Sequence, residues 1–329
     1  MAQDRIVVLA GGVGAARFLQ GVVDVVPPAE VSVISNVGDD EEIYGVHVSP
    51  DIDIVTYTLA GVVGEPGFGL AGDTFAVVDG LARFGMDAWF RLGDRDYATC
   101  LHRTLQLRAG RPLSAVTAEI ARAFGLDIQL LPVTDSRLAT TVRTPGGRLA
   151  FQDYFVRHRT EDEVLGIEFD GVETAQPAPG VLEAIGRARA ILIAPSNPFV
   201  SIGPILAVPG VRDAIRASDA PVVAVSPIVG GEAIKGPAAK MFRSLGGEAS
   251  ATGVAAHYRG LIDALVIDQM DVTQAGAIAA LGIQPVVTDT IMRGPAEKAN
   301  LARVALEAAA SAAGVGVGFK PARPTGDTT

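Results

Sequence analysis

Two groups of residues near the start of the chain have the types and spacing for phosphate chemistry. Gly11, Gly12 and Gly14 fall in "IVVLAGGVGAARF", an apolar run, a glycine turn and then a helix-like stretch. Glycines at such a turn let the backbone come close to a phosphate, and a helix N-terminus adds N–H groups and partial positive charge. The second group is acidic: Asp39, Asp40, Glu41 and Glu42, then Asp51 and Asp53 in "SPDID". Carboxylates beside a phosphate repel it unless a cation lies between them, and Mg²⁺ is the usual one. Glu41 and Glu42 fit a solvated loop. Asp51 is expected to cap the helix it precedes. For Asp53, capping and function weigh equally.

Further along, "APSNPFVSIGPIL" places Ser196 and Asn197 after an apolar run, with Ser201 and Gly203 in the following loop. "VSPIVGGEAIKGPAAKM" repeats the pattern, with Lys235 and Lys240 as candidate phosphate partners. Ordinary loop chemistry is the plain alternative for each. Asp73 in "GLAGDTF" is expected to cap a helix. "FRLGDRD" gathers Arg91, Asp94, Arg95 and Asp96 beside Trp89 and Phe90, which suits a flat polar heterocycle or a surface helix joint.

Several chemistries are disfavoured. Read from Gly12, a dinucleotide fingerprint becomes G-V-G-A-A-R, with Arg17 at the third glycine position and Asn36, not an acid, ending the second strand. Arg17 either reaches back to a phosphate or faces solvent. No Gly-Lys-Ser/Thr follows the first loop, so a P-loop is excluded. The four histidines lack metal-ligand spacing. There is no G-x-S-x-G elbow.

The elements that must position these groups alternate. Buried strands are expected at 5–10, 31–36, 190–195, 221–227, 263–268 and 284–289, apolar on both faces and separated by amphipathic helices. This is the pattern of a doubly wound, mostly parallel, Rossmann-like α/β sheet. Residues 127–175 break it and read as an α+β insertion, with "TPGGR" as a hairpin turn. A single domain over 1–314 is expected, followed by a frayed tail at 315–329. The 329 residues carry a net charge of −10, which argues against a nucleic-acid or anionic-membrane surface. One cysteine, Cys100, permits no intrachain disulfide. With no apolar run of membrane length and no secretory signal pattern, a reducing cytoplasm is the expected location.

"AGGVGAARFLQG", "SNVGDD", "SPDIDIVTYTLAG", "GLAGDTF", "FRLGDRD", "PSNPFVSIGPIL", "VSPIVGGEAIKGPA" and "VTDTIM" occur in order over about 5–295. Together they resemble the CofD family, transferases of coenzyme F420 biosynthesis, and its actinobacterial branch, FbiA, in particular. The resemblance implies a Mg²⁺-dependent, typically homodimeric enzyme. Its substrates would be a guanosine diphosphate-linked three-carbon acid and the deazaflavin alcohol 7,8-didemethyl-8-hydroxy-5-deazariboflavin (Fo). The ribityl hydroxyl attacks the phosphorus bearing the acid, enolpyruvate or lactate, and GMP leaves. It implies deazaflavin contacts for Asp53 and Arg91; Asp53 is expected to orient or deprotonate the hydroxyl, bind the metal, or both, and Asp40 is the second metal candidate. Gly11, Gly12, Gly14, Ser196, Asn197, Gly203 and Lys235 would face nucleotide and phosphates. Val13 and Ala15 depart from the family's usual GGTGG or GGTGT, so the loop is expected to act through backbone N–H groups alone.

Phosphoryl transfer needs positioning and charge neutralisation more than a nucleophile, which matches this inventory. The competing readings are a non-catalytic nucleotide-sugar-binding regulator of the same fold and a dinucleotide-dependent oxidoreductase. As a loop residue, Asp53 is expected to tolerate Asp53→Ala with the fold intact and transfer abolished.

Overall fold

The computed structural model describes residues 5–65 and 67–314, and the expected frayed tail at 315–329 lies outside them. Seven strands form the central sheet: β1 (Arg5–Ala10), β2 (Val31–Ser35), β3 (Gln129–Pro132), β4 (Ala188–Ile193), β5 (Val222–Val225), β6 (Ala264–Asp268) and β7 (Gln284–Thr288). Their order is β7-β6-β5-β4-β1-β2-β3, and every neighbouring pair is parallel. Ile6, Val7, Val8 and Leu9 all have no exposed surface, so both faces of the sheet centre are covered. Helix α1 (Gly12–Val25) packs on α2 (Pro50–Leu59) and on the final helix Pro295–Ala312; α6 (Val181–Gly186), α7 (Ile202–Ala207) and α8 (Val211–Ala217) form a second packed group. β7 is the half-exposed edge, where Pro285 costs no interior ladder bond.

The six expected strands are present, and a seventh joins them. Residues 129–132, read as part of the insertion, pair in parallel with β2. The insertion proper follows as an antiparallel sheet of Gly147–Ala150, Ala139–Thr144 and Gly166–Asp170. The 144–147 turn is the expected hairpin. Beyond Ala150 the chain does not stay extended; Asp153–Arg157 forms a turn of π-helix.

Between β2 and β3 lies a lobe built from a small hairpin (Glu41–Ile43 with Val46–Val48), α3 (Ala76–Arg83), α4 (Asp94–Arg108) and α5 (Leu113–Ala123). Asp73 and Asp94 cap helices there, but not the expected one in the case of Asp73. Asp94, the first residue of α4, accepts the N–H groups of Ala76 and Val77 at the start of α3. Asp73, just before α3, accepts those of Arg95 and Asp96 at the start of α4. Each carboxylate satisfies the orphan donors of the other helix. Among the described residues no helix is long and apolar enough to cross a membrane.

Candidate active site

The strand order reverses at β1, between β2 and β4, and ligands of open parallel sheets bind outside the carboxyl ends at such a point. Here the ends of β1, β2 and β4 deliver Gly11, Asn36 and Ser196. Gly14 sits so close to the chain after β4 that a Cβ on it would lie 2.5 Å from the Pro195 carbonyl oxygen. Gly12 opens α1 at φ +76°, a backbone conformation that favours glycine. Gly14→Ala is therefore expected to push the two loops apart, at a cost of about 1–3 kcal/mol. Denaturant titration checks this, and an unchanged midpoint would mean that the loops are not in fixed contact.

Three carboxylates crowd this point. Asp51 Oδ1 accepts the Gly12 N–H at 2.6 Å, and its Oδ2 accepts Asn36 Nδ2 at 2.9 Å. The same Asn36 Nδ2 donates to Asp39 Oδ1 at 3.1 Å, and Asn36 Oδ1 accepts the Gly38 N–H. Asp40 Oδ2 is held by Ser49 Oγ at 2.7 Å and His47 Nε2 at 3.0 Å, while its Oδ1 is buried without a hydrogen-bond partner. Asp39 and Asp51 are 7% and 4% exposed, and the Asp40 side chain is 7% exposed. Burial, then the charges of Asp51 and Asp40, push the Asp39 carboxyl well above the usual range. Burial pushes Asp51 up to about 6, against its bonds from Asn36 and Gly12, and Asp40 adds to the rise. Asp51 thus does not cap α2. It lies inside that helix's first turn and ties α2 to the glycine loop.

Asp53 points elsewhere. Both its oxygens accept hydrogen bonds from Arg103 of α4, Nη1 to Oδ2 at 3.0 Å and Nη2 to Oδ1. Asp53 is 4% exposed and Arg103 0%, so this is a fully buried ion pair. Burial opposes the Arg103 charge, but Asp53, Cys100 and Asp40 together more than offset it and hold the guanidinium protonated. Both Asp53 oxygens face the Arg103 guanidinium, a cation already in place, whereas Asp40 keeps one buried oxygen without a hydrogen-bond partner and is the better ligand candidate, with Asp39 and Asp51 beside it. Burial and neighbouring charge raise the Asp39 and Asp51 carboxyls.

The remaining nominated residues divide. Ser196 Oγ is buried without a partner at the end of β4, beside the Gly14 contact. Lys235 Nζ and the Val13 side chain flank the same Gly67 turn, so Lys235 arrives near the glycine loop. Asn197 shapes its own loop: Oδ1 accepts the Phe199 N–H and Nδ2 lies on Met241 Sδ. Gly203 is a packing contact under Phe169 of the insertion. Arg91 is 54% exposed, pairs with Asp79 at 2.7 Å and lies over the Phe75 ring. No hydrogen bond joins it to Asp53 among the described residues. Lys240 is spent on the carbonyls of Thr160 and Glu161, and Arg17 on that of Met292.

Sequence reasoning missed Arg103. The available signal was the i, i+4, i+7 spacing of Asp96, Cys100 and Arg103, one polar stripe along α4. Asp96 accepts a hydrogen bond from the Tyr57 hydroxyl at 2.7 Å, and burial followed by the Asp53 charge pushes its carboxyl up to about 7. In the unfolded chain that group ionises near 4. The folded state therefore keeps a proton between about pH 4 and 7 that the unfolded chain has released, and this contribution is lost as pH rises through 7. Asp96→Asn removes the titration and retains an acceptor for Tyr57. Its stability relative to wild type is expected to rise from pH 4 to pH 8, by on the order of 1–2 kcal/mol after allowing for solvent reach. A pH-independent difference in melting temperature would contradict this.

The family model described as "2-phospho-L-lactate transferase CofD" matches residues 6–305. The chain belongs to the CofD family. It is 46% identical over 312 residues to a phosphoenolpyruvate transferase of Streptomyces griseus, covering 93% of this chain and 98% of that one. A 2-phospho-L-lactate transferase of Methanopyrus kandleri is 40% identical over 307 residues, covering 92% and 96%. A member of the UPF0052 family from Bacillus halodurans shares the fold, with a TM-score of 0.63 over 93% of this chain and 99% of that one, at 15% identity. As a CofD-type transferase, the chain carries its carboxylate cluster where the fold places ligands.

Proposed function

We propose that this CofD-family transferase acts in coenzyme F420 biosynthesis. It would move a phosphoenolpyruvyl or phospholactyl group from a guanosine diphosphate-linked donor to the ribityl hydroxyl of Fo, releasing GMP. The observation that carries the reading is the cluster of Asp39, Asp40 and Asp51 at the switch point, with Asp51 bonded to the Gly12 N–H of the glycine loop. Such a cluster cannot receive a diphosphate without a cation. Mg²⁺ held by Asp40 and one neighbouring carboxylate, Asp39 or Asp51, would neutralise the phosphate oxygens of the donor and the leaving GMP. Ser196 Oγ and the N–H groups that follow Gly12 would bind phosphate oxygens, with Lys235 adding charge from the second glycine-rich loop. The hydroxyl oxygen bonds to phosphorus as the bond to the GMP oxygen breaks, and the hydroxyl proton leaves to solvent or a carboxylate. The relatives with 42–46% identity are named phosphoenolpyruvate transferases and those near 40% 2-phospho-L-lactate transferases, which favours the enolpyruvyl donor. The active form is proposed to be a cytoplasmic homodimer.

The test mixes protein, Fo and Mg²⁺ with enolpyruvyl or lactyl guanosine diphosphate and follows GMP and phosphorylated deazaflavin. Faster product formation from the enolpyruvyl donor is expected. No product from either donor, with Fo failing to bind, would overturn the reading.

A further inference from the structure

Among the described residues Arg103 is the largest of the fully buried side chains. Taking a guanidinium out of water costs several kcal/mol unless its donors are engaged by well-placed partners. Its two Nη groups have specific partners, while Nε is buried without one. Asp53 takes the fork, the His47 carbonyl accepts Nη1 at 3.2 Å, and Cys100 Sγ lies 3.8 Å from Nη1. Ligand-type atoms of Asp53, Asp96 and Cys100 fall within 4.8 Å of one another, the spacing of a metal set. The guanidinium is the cation already bonded to Asp53 and Cys100 in that group.

Residues 47–53 are gripped by this one side chain at both ends, at the His47 carbonyl and the Asp53 carboxylate. Between the grips lie the contacts that arrange the carboxylate cluster. His47 and Ser49 hold Asp40, the Asp53 N–H bonds the Ser49 carbonyl at 3.0 Å, and Asp51 reaches Gly12 and Asn36. We propose that Arg103 is a positioning residue: held by Asp53, Cys100 and the His47 carbonyl, it fixes the 47–53 segment so that Asp40 and Asp51 keep their places beside the glycine loop. This rests on the cluster being the cation and donor site. It gives Asp53 the part of an anchor, with Arg103 as its counterpart. Lysine carries the charge but not the planar fork, so it cannot span Asp53 and His47 together.

The experiment compares wild type with Arg103→Lys in three measurements. These are amide hydrogen exchange over residues 47–53 and the Gly12 loop, Mn²⁺ titration without substrates, and turnover as a function of Mg²⁺. For Arg103→Lys, exchange at least tenfold faster in those segments is expected, with Mn²⁺ bound at least tenfold more weakly. Turnover should recover at high Mg²⁺, a defect in apparent KM for the ion with kcat kept. Wild-type exchange and Mn²⁺ affinity would overturn the proposal, as would a loss of turnover that saturating Mg²⁺ does not restore. If Arg103→Lys does not fold, Asp53→Asn combined with Arg103→Gln replaces it, since this pair leaves no lone buried charge. Faster exchange at 47–53 is again expected, and wild-type protection there would overturn the proposal. Wild-type protein that neither binds Mn²⁺ nor turns over would sink the transferase reading instead, and the exchange measurement would still decide the role of Arg103.

Discussion

Asp51→Asn is expected to reduce transfer by at least about a hundredfold while making the metal-free protein more stable. The two effects have one origin. Asparagine keeps the volume and an oxygen for the Gly12 N–H, so the tie between α2 and the glycine loop survives. It removes one of three charges in a buried cluster. The Asp51 carboxyl is raised to about 6 in the folded protein from its ordinary 3.8. Its ionisation therefore costs stability progressively from about pH 4 to pH 6, and the full cost is present above that. At about 1.4 kcal/mol per pKa unit the cost is about 3 kcal/mol at most, part of which the amide recovers. Melting curves at pH 7.5 with a chelator, paired with steady-state turnover, check both effects. Activity within tenfold of wild type would remove Asp51 from the site. Lower stability in chelator would show that its charge is compensated within the protein.

Asp53→Ala is expected to destabilise the fold by about 3–5 kcal/mol, because it strands the Arg103 guanidinium in a site with no exposure. This reverses the sequence-based expectation of an intact fold. A loop aspartate would add little to the core, but Asp53 lies in the first turn of α2, buried and doubly bonded. Lost activity in this variant would say nothing about chemistry unless folding were measured alongside. Urea denaturation supplies that measurement, and a midpoint unchanged from wild type would mean that Arg103 finds another partner or reaches water.

The sheet was largely legible because strands covered on both faces read as continuous apolar runs, as in Ile6–Leu9 and Ala264–Ile267. Residues 129–132 escaped as a sheet strand because an apolar run does not announce its neighbour; pairing with β2 is a tertiary fact. The glycine loop and its acidic companions were legible as types, but their division of labour was not. Asp51 and Asp53 are two residues apart in one helical turn, so they point about 200° apart. One meets Gly12 and Asn36, the other Arg103. Sequence offers no way to tell which faces which until α4 is packed behind α2. Arg103 was overlooked for a different reason: arginine is almost never fully buried, so the polar stripe of Asp96, Cys100 and Arg103 reads as solvent-facing. Asp73 was read correctly as a cap but assigned to the helix beside it in sequence.

That exchange of caps makes the lobe carrying Arg91 a single thermodynamic object. α3 is only eight residues long, too short to persist alone, and its first-turn donors depend on a residue that belongs to α4. α4 depends in turn on a residue that precedes α3. Fraying of either start removes the caps of the other, so the first turns of the two helices are coupled. Between its well-packed sheet and its exposed lobe the molecule therefore has a ready-made boundary for partial opening, drawn by two carboxylates twenty-one positions apart.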